Sequence, residues 1–310
     1  MTNLPHIAAR LFGAPLLIDK GKLAAIAAGI GGRVVPGGFS ISDVAALNHT
    51  AFASGRPSQQ MGIVTDRLGR RMEANGYGEA DILDIVGQVA TIAVEGTLVH
   101  KGAWLNSMSG DTSYQGLQTQ IVRAARSPNV KGVVFEHDSF GGEGAGCFET
   151  ADMVAWLSTL KPTLAILTNF SCSASYALAA ACRQIVMPEG GAAGSIGVVS
   201  LHADFSKQLD ADGVKVTLIA SGEHKTEGNP FEPLPADVFA RVKARNDATR
   251  DRFAELIGNY RGARFSKAAA LATEAQTYES AEALSLGLVD GIVDSPVEAF
   301  ATFVDAIKRA

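Results

Sequence analysis

Three serines stand close together in Ser171-Cys172-Ser173-Ala174-Ser175. A serine where a helix begins serves either as a cap for free backbone N–H groups or as a nucleophile. A nucleophilic serine needs a base to take its proton and preorganised donors to hold the oxyanion that forms. Gly141-Gly142 can offer one such donor, since glycine has no Cβ to obstruct an approaching carbonyl. The same pair also suits a tight turn or a phosphate at a helix start. Ala174, directly after the middle serine, can offer a second N–H. Lys225, in Ser221-Gly222-Glu223-His224-Lys225, is a candidate base. A lysine accepts a proton only when neutral, which requires burial or a neighbouring cation, and the alternative for it is an ordinary solvated side chain. His137-Asp138 and His224 raise a Ser–His–Asp arrangement as a further possibility. Neighbouring residues on a strand face opposite ways, however, so His137 and Asp138 are poorly placed to act as a pair.

Short β-branched runs alternating with helical patterns would position these residues, and that alternation is the signature of βαβ units with a largely parallel sheet. Strands are expected at 89–94, 132–136, 163–167, 184–187, 214–219 and 288–293, and helices at 114–126, 143–160, 173–182 and 235–260. The stretch His137 to Gly142 reads as a loop between a strand and a helix. Lys225 is expected to emerge at the end of the 214–219 strand. In open α/β sheets such strand-end loops gather in one crevice where ligands bind. Residues 1–85, with Pro36-Gly37-Gly38 and a polar, arginine-bearing stretch, read as an N-terminal extension preceding a domain over 86–310.

Composition narrows the function classes. Apolar residues at 47% and charged residues at 19% describe a globular chain rather than a disordered one. A net charge of −5 without a basic run argues against nucleic acid as a partner. Cys147, Cys172 and Cys182 have neither the even count of a disulfide framework nor zinc spacing, so they read as structural thiols in a reducing compartment. Arg10 and Lys20 interrupt the N-terminus and 23–30 is too short for a span of ~20 residues, so the expectation is a cytoplasmic chain with no membrane anchor.

Taken together, the glycine pair, Ser-Cys-Ser173-Ala-Ser-Tyr176, Gly194-Ser195-Ile196-Gly197-Val198 and Ser221-Gly222-x-x-Lys225 resemble the serine peptidase family of signal peptide peptidase A, in order and in spacing. Asn3 to Ala8, Ser221 to Pro230 and Asp247 to Arg250 resemble its phage head-maturation branch in particular. The resemblance implies a crotonase-like α/β fold, a βαβ spiral of the ClpP/crotonase type. It implies a Ser–Lys dyad in which Ser173 attacks the peptide carbonyl, Lys225 accepts its proton and Ser195 holds the lysine amine. Gly141 or Gly142, with Ala174, would form the oxyanion hole. Alignment of Tyr176 with the family's aromatic favours Ser173 over Ser171 and Ser175. Phe140 stands where the family usually has proline, and Ala174 where it often has glycine, which bears on loop stiffness and pocket shape. No metal or cofactor is implied; capsid or scaffold proteins would be the substrates, in host cytoplasm or prohead, and a homo-oligomer is expected. Three alternatives stay open: a cytoplasmic bacterial peptidase of the same family, an acyl-CoA hydratase or isomerase sharing the oxyanion device, and a capsid scaffold protein with an idle dyad.

Overall fold

The protein is described by a computed structural model covering residues 14–20, 22–23, 78–101, 107–108 and 110–310. The extension expected over 1–85 lies almost wholly outside these residues. In chain order the strands are β1 (Leu16–Ile18), β2 (Asp84–Val86), β3 (Val89–Glu95), β4 (Thr97–Val99), β5 (Ser107–Met108), β6 (Asp111–Ser113), β7 (Gly132–Ser139), β8 (Gly141–Glu143), β9 (Thr163–Cys172), β10 (Gln184–Pro188), β11 (Ala192–Gly194), β12 (Thr277–Glu279) and β13 (Gly291–Val293). The helices are α1 (Tyr114–Arg126), α2 (Cys147–Leu160), α3 (Ala174–Ala180), α4 (Ser206–Ala211), α5 (Ala236–Arg261), α6 (Lys267–Ala272), α7 (Ser280–Leu286) and α8 (Pro296–Arg309).

The chain divides into two compact units. Among the described residues, the larger unit holds those of 17–197 and 250–310, and the smaller holds those of 14–16 and 198–249. In the larger unit, β3, β7 and β9 run parallel side by side, as β-branched strands joined by helical crossovers should. β10 and β11 both continue from β9 in parallel, at its two ends. A second sheet carries the order β1-β8-β4-β6-β5.

Alternation along β7 explains its two faces. Val133, Phe135 and His137 are wholly buried, while Val134 turns to the opposite side. There it joins Val89, Leu164 and Ile166 beneath Val304 and Ile307 of α8. Ser295 caps α8 by accepting from the Glu298 N–H, and Pro296 occupies its first turn, where a missing N–H costs nothing. Arg261, at the end of α5, has a fully enclosed side chain that grips both Asp290 carboxylate oxygens at 2.8 Å and donates to the Gly287 carbonyl. Burial by itself would raise the Asp290 pKa, but the hydrogen bonds and charge of Arg261 hold it below the usual carboxylate value.

The smaller unit is mostly irregular. Leu16 and Val199 exchange backbone hydrogen bonds of 2.8 and 3.0 Å, and Ser200 pairs with Asn246 on α5 at 3.0 Å. The strand expected at 214–219 is absent: these residues form no strand, and Ile219 is 96% exposed. β-branched residues make a strand only where a partner and a buried face exist, and among the described residues this run has neither. The stretch 137–142 is also not a loop. β7 runs on to Ser139 and β8 begins at Gly141, so α2 starts only at Cys147, after Gly146 has turned the backbone at φ 86°.

Candidate active site

Ser173 sits where β9 turns sharply into α3. Its backbone has φ 56° and ψ −118°, a conformation that costs a non-glycine residue of order 1–3 kcal/mol. The turn is held open by its neighbours: the Ser173 N–H donates to the Gly194 carbonyl at 2.8 Å, and Gly194 pairs with Cys172 across β11 and β9. The Ser173 side chain makes no capping bond to α3. Its Oγ is buried and without a hydrogen-bond partner. A strained strand-to-helix turn presenting an unpaired hydroxyl is the arrangement of a nucleophile elbow, and the capping role is not the one this serine plays. The hydroxyl is enclosed rather than surface-accessible.

The flanking serines are engaged elsewhere. Ser175 Oγ pairs with His137 Nδ1 at 2.9 Å and with Ser171 Oγ at 3.1 Å, all within the protein interior. This cluster was not anticipated from sequence, where His137 and the serines are far apart; only the register of β7 on β9 brings them together. Burial lowers the His137 pKa from 6.5 to about 3, so the ring is neutral and a weak base. It meets Ser175, not Ser173, and Asp138 faces solvent, as the alternation of a strand requires.

Gly141 lies close to the elbow. A Cβ placed on it would stand 3.0 Å from the Ala174 nitrogen and 2.2 Å from the Leu17 carbonyl oxygen, so with φ at 92° the position admits only glycine. The Ala174 N–H, at the first position of α3, has no carbonyl within the helix to bond. Gly141 N–H itself donates to Ser139 Oγ at 3.1 Å, and Gly142 pairs with Leu98 of β4. Ser195 follows directly from Gly194, is 5% exposed, and adopts φ 54° with its N–H given to the Gln276 carbonyl. The structure thus gathers Ser173, Ala174, Gly141, Gly142 and Ser195 around one end of the parallel sheet.

Lys225 belongs to the smaller unit. It lies on an exposed turn, bonded through its N–H to the Gly222 carbonyl at 3.2 Å, and not at a strand end. Its neighbour His224 pairs with Glu227 at 2.5 Å, and Glu227 also meets Arg241.

A cavity of about 400 Å³ opens beside the elbow, lined by Asp19, Lys20, Phe140, Phe170, Cys172 and Thr277 among others. Phe140, in place of the expected proline, stacks against Phe170 with ring centroids 4.4 Å apart. All three cysteines are free and buried, with burial pushing the Cys147 and Cys172 thiols up to about 12. Thiols so far from ionising are inert, which suits a structural role. Among the described residues there is no group of His, Cys, Asp and Glu that could hold a metal ion.

Residues 155–301 match peptidase family S49. The capsid assembly protease C of Escherichia phage lambda is 33% identical over 99% of this chain and 67% of its own length. The chain belongs to peptidase family S49. The head-tail preconnector protein GP5 of Enterobacteria phage P21 is 34% identical, over 94% of this chain and 56% of that protein. Among solved structures, an enoyl-CoA hydratase from Shewanella pealeana is similar at a TM-score of 0.42, with 13% identity, 73% of this chain and 72% of that one covered. Membership of family S49 makes the chain a serine protease. No helix among the described residues is long and apolar enough to cross a membrane.

Proposed function

We propose that this S49 protein is a phage head-maturation endopeptidase that cleaves capsid or scaffold proteins with a Ser173–Lys225 dyad. The observation that carries the nucleophile is the elbow: a strained serine whose hydroxyl is left unpaired while both neighbouring serines are bonded away. In the proposed reaction Ser173 Oγ attacks the scissile carbonyl carbon as its proton passes to neutral Lys225 Nζ. The oxyanion is received by Ala174 N–H and by the N–H of Gly142, or of Gly141 once Ser139 releases it. Collapse expels the amine, which takes the proton back from the lysine. Water then attacks the acyl-enzyme as its proton passes to the same base, and the second collapse breaks the ester bond, releasing the carboxyl product while the lysine returns the proton to Ser173 Oγ. Ser195 orients the lysine amine.

Lys225 enters on the Ser221-Gly222-x-x-Lys225 motif, and its burial in the working enzyme is a requirement of the mechanism. Capsid substrates are inferred from the phage relatives, one a capsid assembly protease and the other a head-tail preconnector protein. The test is co-expression with neighbouring capsid genes and mass mapping of the products, for the wild type and for Ser173→Ala. Cleavage that persists in Ser173→Ala refutes the nucleophile. Absence of cleavage by the wild type on any capsid protein refutes the substrate and leaves a scaffold role.

A further inference from the structure

The strand bordering the glycine pair is the chain's own N-terminal segment. β1 is the edge neighbour of β8, and the Asp19 N–H donates to the Phe140 carbonyl at 2.9 Å. The Leu17 carbonyl oxygen lies 2.2 Å from the point where a Gly141 Cβ would stand, and the Ala174 nitrogen lies 3.0 Å from that same point. One backbone carbonyl of the segment therefore stands against Gly141, in the neighbourhood of the first helical N–H that the proposed reaction reserves for a substrate carbonyl. Leu17 is wholly buried and Ile18 is 7% exposed, while the Ser173 hydroxyl is enclosed with nothing bonded to it. An enclosed nucleophile with extended backbone running along the adjoining glycine strand is what a protease looks like with a strand already in its groove.

We propose that Leu17–Asp19 is a pseudosubstrate strand: it fills the groove along β8 that takes the backbone of protein substrates, and it must leave before Ser173 can act. This rests on Ser173 being the nucleophile. An edge strand docked by main-chain bonds is replaceable by any extended peptide that makes the same bonds, so exchange for a substrate segment is a near-balanced substitution. The side chains of the segment also report what the groove accepts. Leu17 and Ile18 are aliphatic and buried, and Asp19 and Lys20 stand at the wall of the adjoining cavity. The substrate class is therefore an extended stretch with consecutive aliphatic residues followed by charged ones.

The test measures the rate at which a fluorophosphonate labels Ser173 in the full-length chain. Asp19→Pro removes the N–H given to Phe140, whereas Asp19→Ala keeps it and loses the same side chain. Loss of one such bond should make Asp19→Pro label about two- to tenfold faster than Asp19→Ala. The synthetic heptapeptide Ala-Pro-Leu-Leu-Ile-Asp-Lys, copying residues 14–20, should suppress that labelling at millimolar concentration, and a scrambled peptide should not. Labelling at Ser173 that is equal in both variants and indifferent to the peptide overturns the pseudosubstrate alone. A folded protein that carries no adduct at Ser173 in any variant overturns the nucleophile and, with it, this proposal. Should Asp19→Pro not fold, hydrogen exchange in full-length Ser173→Ala decides: the heptapeptide should speed exchange of the Asp19 amide, and unchanged protection overturns the proposal.

Discussion

The buried histidine beneath the elbow should make this protein lose stability in mild acid, by an amount the structure sets. His137 is enclosed, bonded through Nδ1 to Ser175, and has a pKa lowered by burial from 6.5 to about 3. Once the chain unfolds, the ring is hydrated and takes up a proton near its ordinary value. The folded pKa is the lower one, so this contribution is complete above about pH 6.5 and drains away as pH falls toward the folded value. Between pH 7 and pH 4 the two pKa values imply a loss of roughly 3 kcal/mol from this one group. His137→Gln keeps a polar side chain that can reach Ser175 but does not titrate. It should be less stable than the wild type at pH 7, through poorer packing, and should then lose roughly 3 kcal/mol less on acidification. Urea denaturation followed by circular dichroism at pH 7, 6, 5 and 4 measures both. Carboxylates such as Asp290 titrate alike in the two proteins, so the difference between the curves isolates the histidine. Parallel curves would refute the reasoning and mean that water reaches His137 in the folded state.

Three further outcomes are expected. Ser173→Gly and Ser173→Ala should both abolish peptide cleavage, yet the glycine variant should be about 1 kcal/mol the more stable in thermal unfolding, because glycine adopts φ 56° without strain; equal stability would argue against a strained elbow. Lys225→Ala should lose cleavage by orders of magnitude and His224→Ala little, and the rise of rate with pH that a lysine base demands should persist in His224→Ala; a rate–pH curve that flattens there assigns the base to the histidine. Arg261→Met removes the enclosed one of the two arginines on Asp290, Arg264 remaining at 3.1 Å, and should cost about 1–3 kcal/mol in denaturant unfolding, with less further loss in acid than the wild type; no measurable change would mean that Arg264 alone holds the carboxylate.

What the sequence revealed follows the reach of the forces involved. α1 was legible end to end because its determinants are local: apolar spacing, and Ser113 capping by accepting from the Gly116 N–H. The parallel β3–β7–β9 core was legible for a similar reason, since strands buried on both faces show as β-branched runs. His137 to Gly142 was misread as a loop because its polar residues looked solvated. They are instead satisfied by partners distant in sequence, the Ser139 hydroxyl donating a hydrogen bond to the Gly96 carbonyl and His137 meeting Ser175. The 214–219 run erred the other way: its alternation had strand character, but among the described residues no strand pairs with it.

The two halves of the proposed dyad divide along the same line. A nucleophile's special state is a backbone conformation, and residues adjacent in sequence enforce it: Cys172 ends a strand, Ala174 begins a helix, and the serine between them absorbs the turn. A motif of six residues can therefore carry nearly all the information, and at Ser173 the dihedrals and the unpaired hydroxyl are what such a motif should produce. A lysine base is a different kind of object. Its function requires desolvation, which no neighbouring residue can impose and which only surfaces remote in sequence supply. The turn from Gly222 to Lys225 fixes where the backbone goes and leaves a four-carbon side chain free to be buried by whatever closes over it. Motif strength thus means different things at the two positions. At Ser173 it reports a local geometry already formed, and at Lys225 it reports only a requirement. If both residues are essential, the lysine variant should lose activity while its isolated turn keeps its hydrogen bond from Lys225 N–H to Gly222, so a defect confined to catalysis, with unfolding unchanged, is the outcome that assigns Lys225 to chemistry rather than to structure.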